Sequence, residues 1–230
     1  MRRGNNTRRW SGFLGALLFG VLCFPALSSA ATVTYASNKV MGPTNGLVGY
    51  WTFNGADISG TTVLDRSGLG NNATMQNDPT KTTGKLGQGL QFSQSVSSQL
   101  VNAASPSSLD DLNQMTISVW VKRSPSGAQR TVVSKTDTLA LSDGWRLSIS
   151  GGGVLYFQSA FSAQWGQWSF LAPVKVNQWT HLVLTYDRTS PANVPVLYVN
   201  ASSTLASDLA TPSGTTLSDA AALLSIGGVN

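Results

Sequence analysis

The acidic residues are the first place to look for chemistry in this 230-residue chain, and all ten of them are aspartates. Glycosidases commonly work with two carboxylates held close together. The only close pair in the sequence is Asp110-Asp111, and it follows a Ser/Pro-rich segment that predicts the first turn of a helix. Acidic residues suit such a turn because they interact favourably with the helix dipole. The sequence therefore predicts no catalytic residue, and we expect the chain not to be an enzyme.

His181 is the only histidine in the chain, which excludes metal sites that need two imidazoles. A hydrolase triad would have to combine His181 with a serine and an aspartate such as Asp187. On one strand these two residues are six positions apart, or about 20 Å at roughly 3.3 Å per residue, which is too far for a direct hydrogen bond. We therefore expect a structural role for His181.

A Gly/Asn-rich loop, DRSGLGNN, offers oxygen ligands for a metal ion. Asp65, with Asn71 or Asn72 and backbone carbonyls, has the oxygen donors that Ca²⁺ prefers. The alternative is a tight turn in which the Asp65 carboxylate accepts hydrogen bonds from backbone amides. The residues leave both possibilities open, so Asp65 and Asn71 are candidate metal ligands.

Two tryptophans in a polar stretch are candidates for ligand binding. Trp165 and Trp168 flank Gly166 in the segment SAQWGQWSF, and such rings can stack on sugar rings. The alternative is that at least one of them packs into a sheet, because large aromatic side chains are usually mostly buried. Both residues are therefore predicted ligand contacts, with this alternative left open.

The N-terminus has the composition of an export signal. Four arginines precede an apolar run at residues 12–27, and small residues at 28–31 offer a cleavage site after about Ala30. The run is shorter than the roughly 20 residues of a membrane-spanning helix. We predict a signal peptide at residues 1–30, a linker at 31–45, and a mature product that is secreted or held at the cell surface.

The composition of the predicted mature chain indicates which partners it can bind and which kind of organism exports it. Six lysines, five arginines and ten aspartates remain after Ala30, so the net charge is +1 and no basic cluster is left. Nucleic acid is therefore not expected as a partner. Cys23 lies within the signal segment, so the mature chain has no cysteine, and bacterial export is favoured over a disulfide-bonded animal domain.

The elements that position these residues are predicted to be short strands. Residues 47–53 alternate between two apolar faces and predict an inner strand, and residues 105–112 give the only helical signal. Many short segments with period-2 patterns and no βαβ spacing predict an antiparallel sandwich. The further predicted strands are 73–76, 87–92, 99–102, 115–122, 130–135, 145–150, 154–159, 166–172, 179–187, 196–200 and 220–226.

Several of these segments occur in the order seen in one family. GLVGYWTF at 46–53, DRSGLGNN at 65–72, GKLGQGLQF at 84–92, MTISVWVK at 115–122, WTHLVLTYD at 179–187 and LYVN at 197–200 together resemble the laminin-G-like, concanavalin A-like jelly-roll domains. The resemblance covers about residues 46–230. It implies an all-β, antiparallel, two-sheet jelly-roll sandwich, and a structural Ca²⁺ ion near the Asp65 loop.

The resemblance also implies a function. Such domains often bind carbohydrate or extracellular protein, so we expect an exported, non-catalytic binding module for adhesion or substrate targeting. The alternative is an accessory domain of a larger secreted glycan-active enzyme. Domains of this family normally continue past a Leu-Ser-Ile-Gly segment into a final strand, so we expect the sequence to be a C-terminally truncated fragment. Ala201 also replaces the glycine that the family usually has after its Tyr-Val-Asn segment.

Overall fold

The computed structural model describes residues 45–93, 99–104, 106–125, 127–137 and 140–228. The predicted signal peptide and residues 31–44 of the predicted linker lie outside the described residues. The domain belongs to a compact unit at Gly42–Asn230. One 3-10 turn at Gly55–Asp57 precedes the strands, which are β1 (Ile58–Ser59), β2 (Thr62–Val63), β3 (Ala73–Gln76), β4 (Thr80–Thr83), β5 (Gln88–Gln91), β6 (Leu100–Ala103), β7 (Gln114–Lys122), β8 (Arg130–Lys135), β9 (Trp145–Ile149), β10 (Leu155–Ser159), β11 (Gly166–Phe170), β12 (Trp179–Asp187), β13 (Val196–Val199), β14 (Ser202–Thr204), β15 (Ala206–Ala210) and β16 (Leu224–Ile226).

These strands form two main sheets and a separate hairpin. The large sheet has ten strands in the order β1-β2-β3-β6-β16-β8-β9-β10-β11-β15, and the small sheet has four in the order β14-β13-β12-β7. The strands β4 and β5 pair only with each other. All of the ladders between these strands are antiparallel, and the late strand β16 lies between β6 and β8. The fold is therefore the predicted all-β sandwich.

The alternation of apolar side chains explains why these residues form strands. In β12 every second residue is buried, which is the pattern of a strand with one face on the core. The centre of the core is aromatic: the ring of Phe157 lies 6.1 Å from that of Trp168 and 5.2 Å from that of Tyr186, centroid to centroid. Since Tyr186 comes from the small sheet and the other two from the large sheet, this cluster joins the two layers.

The predicted inner strand at 47–53 is wrong. These residues are half-buried and three of them pack against the core, but they form no strand among the described residues. The backbone of Tyr50 bonds to a loop instead of to a ladder: its N–H donates to the Asp65 carboxylate, and its carbonyl accepts from the Arg66 N–H, both at 2.8 Å. Phe53 then has a φ of +58°, which no β-strand allows.

The predicted helix at 105–112 is also wrong where the structure describes it, from Pro106 onward. One turn forms, in which the Leu109 N–H donates to the Pro106 carbonyl at 2.8 Å. Asp111 has a φ of +51°, and its N–H donates to the side chain of Asp219 rather than to a helical carbonyl. A tertiary hydrogen bond therefore ends the turn before a helix can form.

The other predicted strands are confirmed, and most of their boundaries differ from the observed ones by a few residues at most. The last predicted strand, at 220–226, is shorter in the structure, where it spans Leu224–Ile226. The segments at 130–135 and 179–187 match β8 and β12. Five strands were not predicted, namely β1, β2, β4, β14 and β15, and they are short or largely exposed. No helix in the described part of the chain has the length and apolar character needed to span a membrane.

Candidate functional site

The carboxylate of Asp65 is held by four hydrogen-bond donors. Its Oδ1 accepts from the backbone N–H groups of Tyr50 and Ser67, both at 2.8 Å. Its Oδ2 accepts from the Asn71 N–H at 2.9 Å and from the Ser67 hydroxyl at 2.6 Å. The loop therefore wraps around the carboxylate, which ties the opening segment to the Gly/Asn-rich turn.

These four donors determine the direction in which the pKa of the Asp65 carboxyl is shifted. Burial raises the pKa of the carboxyl, but the hydrogen bonds from Ser67, Tyr50 and Asn71 outweigh burial, so the pKa lies below its usual range. The charged form is thus stabilised by N–H and O–H groups and needs no cation.

The candidate ligand Asn71 is buried and is also engaged. Its Nδ2 donates to the Val48 carbonyl at 2.7 Å and to the Ser108 hydroxyl at 2.9 Å. The side-chain oxygen of Asn72 accepts from the Asp65 N–H at 2.9 Å. Among the described residues, no three His, Cys, Asp or Glu side chains come together in a group that could hold a metal ion. A Ca²⁺ ion needs oxygen atoms directed at it, and here they face hydrogen-bond donors, so this arrangement does not fit the ion.

We therefore expect added calcium to leave the thermal stability unchanged. A bound ion would stabilise the folded state by mass action and raise the melting temperature with concentration. Thermal unfolding in about 5 mM CaCl₂ and in EDTA is expected to give midpoints within roughly 1 °C of each other, with MgCl₂ as the matched control. A rise specific to calcium would return the metal hypothesis to Asp65 and Asn71.

The structure separates the two candidate tryptophans. Trp168 is 1% exposed and lies in the aromatic core, 5.4 Å from the ring of Tyr186. It cannot contact a ligand without opening the sandwich, so its assignment to ligand binding is corrected. Trp165 is 39% exposed and directly precedes β11 in the chain. Side chains alternate along a strand, and this alternation places Trp165 and Trp168 on opposite faces.

Polar side chains follow Trp165 on the outer face of the large sheet. Gln167 lies opposite Gln158 of β10, which lies opposite Arg146 of β9. The Gln158 amide donates to the Gln167 oxygen at 3.2 Å, and the Arg146 Nε donates to the Gln158 oxygen at 3.0 Å. Burial lowers the pKa of Arg146. The result is a connected polar row that begins beside an exposed indole.

His181 lies on the outer face of the small sheet. Its Nε2 is 2.9 Å from the Ser118 hydroxyl, and its ring stacks on Trp120 with centroids 4.9 Å apart. The Asp187 carboxylate accepts from Thr189 and Gln114, which lie at the far end of the strand. No described carboxylate contacts the imidazole, so Ser118 and His181 form a hydrogen-bonded pair without the acid of a triad.

A buried ionic cluster was not predicted. Asp219 is fully buried, and its Oδ2 accepts from the Arg188 guanidinium at 2.7 Å. The Lys135 ammonium lies 3.7 Å from the other oxygen of Asp219 and 2.9 Å from a carboxylate oxygen of Asp110. The four residues of the cluster come from segments that are distant in sequence, so no local pattern reveals it.

A cavity of about 220 Å³ adjoins this cluster and is lined by Asp111, Asn113, Arg188, Thr216, Leu217 and Ser218. Asp111 and Asp219 each accept a hydrogen bond from the other's backbone N–H, at 2.9 and 2.8 Å. The Ser218 hydroxyl donates to the second oxygen of Asp111. The Asp111 carboxylate bonds to residues of the loop at 216–219, and the Asp219 carboxylate bonds to the Asp111 backbone and to Arg188. These bonds hold the loop against the turn that ends at Asp111.

Comparison with known proteins agrees with this architecture. Residues 95–230, more than half of the chain, match a laminin G model described as the concanavalin A-like lectin/glucanases superfamily. No curated protein sequence matches the chain. Among solved structures, the binding domain of Paraclostridial Mosquitocidal Protein 1 is similar, with a TM-score of 0.57 and 14% identity. The alignment covers 81% of this chain and 48% of that one, so this chain spans about half of that structure's length.

At that level of identity the solved structure shows a shared fold and nothing finer. The family model and the sheet order carry the classification: two antiparallel sheets face each other across an aromatic core, and the late strand β16 lies in the middle of the large sheet. The chain therefore belongs to the concanavalin A-like lectin/glucanase superfamily, as a laminin-G-like jelly-roll domain.

Proposed function

We propose that this domain is an exported, non-catalytic module that binds carbohydrate on the outer face of its large sheet. The observation that carries the proposal is the exposed indole of Trp165 beside the half-buried amide of Gln167. Sugar rings offer C–H faces that pack on aromatic rings and hydroxyls that pair with amides. Binding sites for small ligands commonly combine aromatic walls with a few such polar groups.

A second aromatic residue extends this surface. Tyr156 of β10 lies opposite Ser169 of β11, and Ser169 is four positions after Trp165 in the chain. Tyr156 and Trp165 therefore lie on the same face of the large sheet. At about 3.3 Å per residue, the two aromatic side chains are roughly 13 Å apart with Gln167 between them. This spacing suits an extended saccharide better than a single sugar. The bonds from Gln158 and Arg146 behind Gln167 hold its amide in one orientation.

Binding rather than catalysis is favoured by the state of the carboxylates. The chain has no glutamate, and each carboxylate of the Asp65 loop and of the buried cluster is bound to donors within the protein. The similar solved structure is named as a binding domain. We propose adhesion or substrate targeting outside the cell as the role, with attachment to a glycan-active enzyme as the alternative context.

The test is a glycan array with the Trp165→Ala variant. Removing an aromatic anchor from a binding surface costs about 1–2 kcal/mol, so we expect roughly tenfold weaker binding to the glycans that the parent protein retains. Leu205→Ala is the matched control, because Leu205 is 82% exposed and lies outside β11. Unchanged binding by Trp165→Ala, or an equal loss in the control, would assign the activity to another surface.

A further inference from the structure

One corner of the small sheet's outer face combines two lysines with aromatic rings. The ladder between β7 and β12 sets Trp120 opposite His181, and Lys122 opposite Trp179. Lys85, in the turn that joins β4 to β5, reaches the same place. We call these five residues the lysine–aromatic corner.

The contacts in the corner are between cations and ring faces. The Lys85 ammonium lies 5.4 Å from the centroid of the Trp120 ring, and the Lys122 ammonium lies 6.0 Å from that of Trp179. The indole of Trp120, which is 36% exposed, stacks on the imidazole of His181. Each cation–π contact at an exposed site is worth about 0.5–1 kcal/mol, enough to favour one placement of a flexible lysine.

The charge of this corner is not balanced locally. Within the part of the chain that the structure describes, neither Lys85 nor Lys122 forms an ion pair. The acidic residue at the other end of the β7–β12 ladder is Asp187, about 20 Å from His181 along the strand. Its carboxylate is occupied by Thr189 and Gln114. Positive charge is therefore concentrated here although the predicted mature chain is almost neutral.

We propose that the lysine–aromatic corner binds the carboxylates of an acidic polysaccharide, a chain of uronic acids. A uronate ring keeps an apolar C–H face that can pack on the exposed indole, and its carboxylate can meet an ammonium group. Lysines already placed by ring contacts lose less conformational freedom on binding. Nucleic acid fits less well, because its affinity comes from many phosphate contacts and this corner has two ammonium groups.

This site goes beyond the carbohydrate surface proposed above, because it lies on the other sheet. The test measures binding of polygalacturonate to the full chain by isothermal titration calorimetry. The Lys85→Gln/Lys122→Gln double variant is expected to bind at least tenfold more weakly, and binding by the parent protein is expected to weaken as salt rises. Both lysines are exposed, so the variant should keep the parental melting temperature.

Matched controls separate this site from others. Arg130→Gln removes one exposed positive charge from the large sheet and should retain polygalacturonate binding. The proposal is overturned if the double variant binds as the parent does, or if Arg130→Gln abolishes binding. It is also overturned if dextran, which is uncharged, competes equally, or if a sulfated glycan, RNA or an acidic peptide binds more tightly with the same lysine dependence.

Discussion

Replacing Asp219 with asparagine is expected to lower the free energy of unfolding by about 3–5 kcal/mol, the typical cost of removing one partner from a buried ion pair. The carboxylate is fully buried, 2.7 Å from the Arg188 guanidinium and 3.7 Å from the Lys135 ammonium. Asparagine keeps the size of the side chain but removes its negative charge. Two buried cations then lose a compensating charge.

Urea unfolding followed by tryptophan fluorescence measures this effect. Asp208→Asn is the matched control, because Asp208 is exposed on β15 and its replacement should change stability by no more than about 0.5 kcal/mol. A loss below about 1 kcal/mol for Asp219→Asn would mean that the cluster tolerates its uncompensated cations, and that the loop at 216–219 is held mainly by its other hydrogen bonds.

Replacing Trp168 with alanine is expected to cost about 3–5 kcal/mol, as for other large aromatic residues removed from a core. The indole packs against Phe157 and Tyr186, so its removal leaves a cavity where the two sheets meet. Trp165→Ala changes the same kind of residue three positions away in the chain, but at a site that is 39% exposed. It should change stability by no more than about 0.5 kcal/mol.

The two tryptophan variants are compared in the same unfolding experiment. The expected result is a large stability loss for Trp168→Ala alone, and a loss of glycan binding without a stability loss for Trp165→Ala. Equal stability losses would contradict the placement of the two rings on opposite faces of β11. Because both variants replace a tryptophan with alanine, the pair tests the fold and the proposed site with the same substitution.

The periodic segments were predictable because one strand face must be buried. In β12 the alternation of buried and half-buried residues is already visible in WTHLVLTYD, and the predicted boundaries match the strand. The opening segment shows the limit of this argument. Its residues alternate in the same way, but the backbone of Tyr50 bonds to the Asp65 loop, and a local pattern cannot reveal which partner a backbone group will take.

The candidate site residues were also predicted only in part from the sequence. The sequence identified Trp165 and Trp168 together, because both are large rings in a polar stretch, but only the sheet decides which face each occupies. Asp65 was open to two interpretations, a metal ligand or a backbone cap. The three-dimensional arrangement of four donors around the carboxylate favours the cap.

By itself, the sequence determined the fold class, the near-neutral charge of the predicted mature chain and the absence of a glutamate pair for glycoside hydrolysis. These properties depend on composition and on local periodicity, which are present before any folding. The tertiary structure decided the rest: the buried Lys135–Asp219–Arg188 cluster, the lysine–aromatic corner and the exposure of Trp165. Each of these depends on groups brought together from distant positions by strand pairing. Hydrogen-bond geometry and burial depend on contacts between residues that are distant in sequence, so a local stretch of sequence cannot predict them.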